Sequence, residues 1–175
     1  MERRPSLRLQ GFDYATPGAY FVTLCEKKRR CVFGHIIDQV MHLSDLGIMM
    51  KEAWFETATI RKEVRLDEYC VMPNHFHGIF WITENGQLPL LEHTLLPQTP
   101  GYQNSFGPQH KNLSTLVNKL KGAVTRRAWQ AGHGDFGWQR GSNDRIIRNN
   151  EEYNAIVHYI RQNPSRWEED EWYTP

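Results

Sequence analysis

Two histidines one residue apart, His75 and His77 in "VMPNHFHGI", are the first side chains in this sequence whose types and spacing could do chemistry. The run "HFHGIFWI" is aromatic and β-branched and follows a Pro-Asn break, which predicts a strand over 75–82. Strand alternation sends residues i and i+2 to one face, so the two imidazoles point together. Two histidines alone hold a divalent ion weakly, so a further ligand must come from another element. The stretch "NEEYNAIVHYIRQNP" supplies a candidate. Wound at about 100° per residue, it gathers Tyr153, Ile156, Val157 and Ile160 within about 60° as an apolar stripe. Tyr159 and Asn163 then sit one turn apart on a flank of that stripe, as neighbours. Packed on the sheet by its stripe, the helix presents a phenol and an amide beside the two imidazoles. A phenol is a weak nucleophile at its ordinary pKa near 10, but a phosphodiester polarised by a divalent metal is a better electrophile. Attack by Tyr159 would leave a 5′-phosphotyrosine, conserving the bond energy for a later rejoining step.

The elements that must position these groups are legible from period and punctuation. "AYFVTLC" at 19–25 reads as a strand after the Pro17-Gly18 turn, and "CVFGHIIDQVMHL" as a short strand or hairpin ending near Leu43. Ser44 is suited to cap a helix running to about Arg61. "VRLDEYCVM" at 64–72 reads as the strand preceding the histidines, with Asp67 and Glu68 on it as further possible ligands. Residues 84–110 are rich in Pro, Gly, Gln and Asn and read as a long loop or insertion. A helix is predicted from about Asn112 to Gln130, with Leu113, Leu116, Val117, Leu120 and Val124 as its buried stripe. "DRIIR" at 144–148 reads as a last strand, followed by a helix capped at Asn149 or Asn150 that must end before Pro164. The order β-α-β-β-α-β plus a terminal helix predicts an α+β, ferredoxin-like (split βαβ) antiparallel sheet, with helices on one face and a C-terminal helix carrying the tyrosine.

Composition bounds the rest. A chain of 175 residues with 39% apolar and 23% charged side chains fits one globular domain over 1–175. No stretch approaches the roughly 20 apolar residues of a membrane span, and the basic start "MERRPSLRLQ" lacks the apolar run of a secretory signal, so the cytoplasm is the expected address. Cys25, Cys31 and Cys70 form no CxxC pair and leave an odd thiol, which argues against a disulfide scaffold or a cysteine zinc site. Net charge is only +1, but it is segregated: no acidic residue lies between Glu92 and Asp135, while "WEEDEW" closes the chain. Such segregation suits a face for a polyanion. Lys121, Arg126 and Arg127 on the second helix, Arg3 and Arg4 on the N-terminal arm, and Arg145 and Arg148 beside the last strand are the expected phosphate contacts.

The elements "VMPNHFHGI", "WQRGSNDRIIRNNEEY" and "HYIRQNPSRWEED", with "RLQGFDYATPGAYFVTLC" near the start, resemble the REP-associated tyrosine transposases, within the single-tyrosine HUH transposases. The resemblance runs over nearly the whole chain except 84–110. H-x-H alone is a weak signal; Pro-Asn-His-x-His joined to Tyr-x-x-x-Asn-Pro is a strong one. The resemblance implies His75 and His77 as metal ligands, Tyr159 as nucleophile and Asn163 as the residue completing the metal site. It also implies Mg2+ or Mn2+ as cofactor, single-stranded or hairpin DNA as partner, cutting beside palindromic hairpins, and action as a monomer or homodimer. Two other readings stand beside it. One is a non-catalytic module, since ferredoxin-like sheets also bind DNA hairpins or RNA. The other is a zinc hydrolase recruiting His35, His42 or His110 as a third histidine.

Overall fold

The computed structural model describes residues 12–91 and 112–174; Arg3, Arg4, His110 and most of the 84–110 loop lie outside the described residues. The elements run β1 (Gly18–Cys25), β2 (Gly34–Ile37), β3 (Val40–Leu43), α1 (Asp45–Ile60), β4 (Val64–Val71), β5 (His75–Ile82), α2 (Leu113–Gln130), β6 (Asn143–Ile147) and α3 (Asn150–Gln162). Local chemistry sets their starts. The side chains of Ser44, Asn112 and Asn149 accept from the backbone N–H groups of Gly47, Thr115 and Glu152, each at the head of its helix. Asn163 closes α3, and Pro164 opens a 3-10 segment, Pro164–Glu169, in which its missing N–H costs no helical hydrogen bond.

Strands β4, β5, β1 and β6 form one sheet in that order, and every neighbouring pair is antiparallel. With α1 and α2 as the two crossovers, this is the split βαβ arrangement predicted from the sequence. β2 and β3 form a separate hairpin.

Alternation divides the sheet into two chemically distinct faces. Tyr20, Val22 and Leu24 of β1 with Phe76, Phe80 and Ile82 of β5 pack against α1 and α2, where the whole predicted stripe of α2 is buried. Gly78 leaves room on this face for the Trp54 indole, since a Cβ there would stand 2.7 Å from its ring. The other face carries Ala19, Ile79, Trp81 and Ile147, covered by Ile156 and Ile160 of α3. Fully burying an aliphatic side chain of this size contributes about 1.5–3 kcal/mol, so this small second core suffices to seat a short helix.

A β-bulge fixes α3 further. Leu66 pairs with Phe80 and Tyr69 with Gly78, so Asp67 and Glu68 share the space opposite one residue. The extra residue re-aims both carboxylates at α3. Asp67 Oδ2 accepts from Tyr153 Oη at 2.8 Å and from Trp81 Nε1 at 2.7 Å, and Glu68 Oε1 accepts from Arg161 Nε at 3.0 Å. These two acids, possible ligands by sequence, are engaged in docking the helix.

Candidate active site

His75 and His77 share with Ile79 and Trp81 the face of β5 that α3 covers, and both are buried. Their Nε2 atoms face each other at 2.9 Å. His75 Nδ1 lies 2.8 Å from Asn74 Oδ1, an oxygen that can only accept, so the proton of neutral His75 is on Nδ1 and its Nε2 presents a lone pair. His77 Nδ1 lies 2.9 Å from the Thr23 hydroxyl on the neighbouring strand, which can accept its proton and free the second Nε2 likewise. Burial pushes the pKa of His77 down to about 3, and burial with the adjacent His77 pushes His75 well down too. Both rings are therefore neutral at ordinary pH, the form that binds metal.

A third group completes the cluster. Asp170, just past the 3-10 segment, places Oδ2 4.0 Å from His75 Nε2, its side chain almost wholly buried. With His75 neutral this is a shared focus of ligand atoms rather than an ion pair. Burial pushes the Asp170 carboxyl up, as expected of an acid without a countercharge. Among the described residues, His75, His77 and Asp170 form a group whose ligand atoms all lie within 4.8 Å of one another. Asn163 is 3% exposed, and neither its Oδ1 nor its Nδ2 has a hydrogen-bond partner. A buried amide left in that state costs about 1–3 kcal/mol. It lines one cleft of about 320 Å³ together with Tyr159 and Asp170. Two imidazoles, a carboxylate and an unpaired amide oxygen are a donor set that could hold a divalent metal ion.

Tyr159 stands over this cluster at 41% exposure, its hydroxyl 3.3 Å from His77 Nε2. The His77 ring is stacked on Phe21 at 5.3 Å, and the phenol ring meets His77 edge-on at 5.2 Å, which holds the nucleophile candidate against the ligand. Burial raises the Tyr159 pKa. Asn163 favours the phenolate but lies outside hydrogen-bond geometry, and the charges of Asp170 and Glu171 raise the pKa further. On its other side Tyr159 opens into a groove of about 630 Å³, lined among others by Phe21, Thr23, Arg145, Arg148 and Ile156.

No family model matches the chain. An uncharacterized protein of Haemophilus influenzae is 39% identical over 178 residues, spanning 99% of this chain and 94% of that protein, and the chain belongs to the same family. A solved structure described as a REP-associated tyrosine transposase bound to a REP hairpin superposes with a TM-score of 0.58 at 19% identity, over 95% of this chain and 74% of that one. The chain has the fold of a REP-associated tyrosine transposase. A putative transposase from Deinococcus radiodurans aligns at a TM-score of 0.49 and 18% identity, over 92% of this chain and 96% of that one.

Within this transposase fold the predicted site residues separate into groups. His75, His77, Tyr159 and Asn163 come together, and Arg145 and Arg148 line the groove beside them. The α2 cations lie in the other layer, across the sheet. Lys121 donates to the carbonyls of Gln139 at 2.8 Å and Gly141 at 2.7 Å, so its ammonium ties a loop to α2. Arg127 is paired with Glu56, while Arg126 is exposed. His35 and His42 stack on each other across the separate β2–β3 hairpin rather than joining the pair on β5. Sequence reasoning missed Asp170, which sits in an acidic run that reads as solvated surface. The signal available was the pair of tryptophans, Trp167 and Trp172, bracketing that run, since large aromatics demand burial.

Proposed function

We propose that this chain is a metal-dependent single-strand DNA endonuclease and strand transferase, acting beside hairpins of the REP type through a 5′-phosphotyrosine at Tyr159. The observation that carries this reading is the Tyr159 hydroxyl 3.3 Å from His77 Nε2, one ligand atom of a buried His-His-Asp cluster. A nucleophile held against a metal cradle is what phosphodiester cleavage needs, and it is superfluous in a passive binding module. REP hairpins enter as substrate class because a structure of the same fold is described as bound to one.

His75, His77 and Asp170 would hold the ion, with Asn163 beside them as a further oxygen ligand. A bound Mg2+ or Mn2+ supplies Lewis-acid polarisation of the scissile phosphate. The Tyr159 phenol, partly exposed, passes its proton to water and its oxygen forms the new P–O bond as the P–O3′ bond breaks, the departing 3′-oxygen taking a proton from water. Arg148, and Arg145 in exchange for its ion pair with Glu152, would meet phosphates of the strand in the adjoining groove, and Phe21 offers an aromatic wall there. Arg126, exposed on α2, can take backbone phosphates of the hairpin, as can Arg3 and Arg4 of the N-terminal arm.

The test is incubation with end-labelled hairpin DNA carrying single-stranded flanks, plus Mn2+ or Mg2+, with denaturing electrophoresis to find a covalent adduct. The expected result is an adduct that disappears in Tyr159→Phe while hairpin binding persists. Equal cleavage by Tyr159→Phe would remove the nucleophile assignment. Tight hairpin or RNA binding without cleavage, whatever the flanking sequence, would favour the non-catalytic module.

A further inference from the structure

Asn74, the residue before the histidine strand, is 1% exposed, and its amide is committed at both ends. The nitrogen lies 2.8 Å from the carbonyl oxygen of Trp172, 3.2 Å from that of Arg29 and 3.2 Å from Thr174 Oγ1. Carbonyl oxygens can only accept, so Nδ2 must face them and Oδ1 must face His75 Nδ1, 2.8 Å away. The identity of the atom next to His75 is thus dictated by the backbone of the C-terminal strap nearly a hundred residues later. That strap also carries Asp170. It is seated by Trp172, buried under the Arg29 guanidinium at 4.9 Å, and by Thr174, whose hydroxyl donates to the Arg29 carbonyl at 3.2 Å. Trp167 and Trp172 both stand about one ring contact from His75, at 6.0 and 6.1 Å.

We infer that Asn74 is a positioning residue that couples the metal cradle to the C-terminal strap, its oxygen fixing the ligand-competent tautomer of His75 and its nitrogen anchoring the segment that delivers Asp170. Docking of the strap and loading of the cradle are then a single equilibrium: each favours the other by the same factor. The inference rests on the reading of His75, His77 and Asp170 as a metal cradle, and it adds a residue that touches no ligand itself. Partners of metal-bound histidines typically change metal affinity by about 10- to 100-fold when lost.

The two ends of the amide separate by substitution. Asn74→Asp keeps an acceptor for His75 Nδ1 but turns an oxygen toward the strap carbonyls; Asn74→Ala removes both contacts. Mn2+ affinity by calorimetry and amide hydrogen exchange over 167–174 are measured on the full chain, without DNA. N74D is expected to lose about 10-fold or more in Mn2+ affinity and to speed exchange in the strap. In a D170N background N74D should add nothing, because the strap no longer brings a ligand, whereas N74A should still weaken binding. Trp172→Ala, which keeps Asn74 and every ligand side chain and removes only the ring that seats the strap against Arg29 and His75, should reproduce the N74D loss and guards against N74D simply failing to fold. Added Mn2+ should slow strap exchange in wild type and not in D170N. The inference is overturned if N74D and W172A bind Mn2+ like wild type, if strap exchange is unchanged in N74D, or if N74D and N74A behave alike in the D170N background. Failure of wild type to bind Mn2+ would sink the cradle and this coupling together. Coupling with no DNA cleavage would sink only the proposed reaction.

Discussion

The Nε2 atoms of His75 and His77 approach each other to 2.9 Å inside the protein, with Asp170 Oδ2 4.0 Å from the first of them. Two buried neutral imidazoles that both present lone pairs repel unless a cation lies between them. That arrangement is built on one strand face and is closed by α3 and the strap, so its consequences can be measured separately on metal, pH, docking and DNA.

Replacing His77 with Ala removes a ligand nitrogen together with the group against which Tyr159 rests. Mn2+ affinity should fall by about 100-fold or more and cleavage should vanish, while hairpin affinity stays within a few-fold of wild type. Calorimetry with Mn2+ and gel-shift titration with hairpin DNA check the two halves. Loss of hairpin binding in parallel would assign the histidines to DNA contact instead.

Acid should destabilise the metal-free protein in a defined window. The folded-state pKa of His77 is depressed to about 3, below the ordinary value of 6.5, and His75 is depressed as well. Above about pH 6.5 both rings are neutral in folded and unfolded chains and contribute no pH dependence. Below it the unfolded chain takes up protons that the folded chain refuses, so stability falls as pH falls, by about 1.4 kcal/mol per pH unit for each histidine, until the folded pKa is reached. Urea unfolding between pH 7.5 and 5 in EDTA should show this slope, and it should be shallower in His77→Ala. An unchanged slope would mean that His77 is solvated.

Asp67 ties α3 to the sheet, accepting one hydrogen bond from Tyr153 of α3 and one from Trp81 of β5. Asp67→Ala leaves both donors without their acceptor, at a cost of about 1–3 kcal/mol. The loss should concentrate in α3: its amide protection should drop more than that of β1 and β5, and adduct formation should fall with it because Tyr159 rides on that helix. Equal loss of protection throughout would show that the bulge stabilises the sheet rather than the docking.

Arg148 and Lys121 should part company. Arg148 is exposed and lines the groove beside Tyr159, so Arg148→Gln should weaken single-strand binding and lower the salt slope by about one unit. Lys121, whose pKa burial pushes down, holds two carbonyls across the sheet from the site. Lys121→Met should instead lower stability, by about 1–3 kcal/mol, and leave the salt slope alone. Affinities at several salt concentrations and a thermal melt of each variant decide the pair. A salt-slope change in Lys121→Met would return Lys121 to the DNA interface.

What the sequence determined by itself is what short-range periodicity encodes. A period of two put His75 and His77 on one face; a period near 3.6 put Tyr159 and Asn163 on one flank and Ile156 and Ile160 on the docking stripe; Ser44, Asn112 and Asn149 marked helix starts through their side-chain oxygens. Tertiary structure alone decided which distant side chains meet them. Asp170 lies in an acidic run with no period of its own, and becomes a ligand candidate only because Trp172 and Asn74 fold the strap back over His75. Asp67 and Glu68 look like ligands on the adjacent strand, yet a bulge turns them toward Tyr153 and Arg161. Lys121 looks like a phosphate contact, yet its ammonium is taken by two loop carbonyls. In each case the outcome depends on docking between segments far apart in the chain, where burial and hydrogen-bond satisfaction rather than local propensity choose the partner.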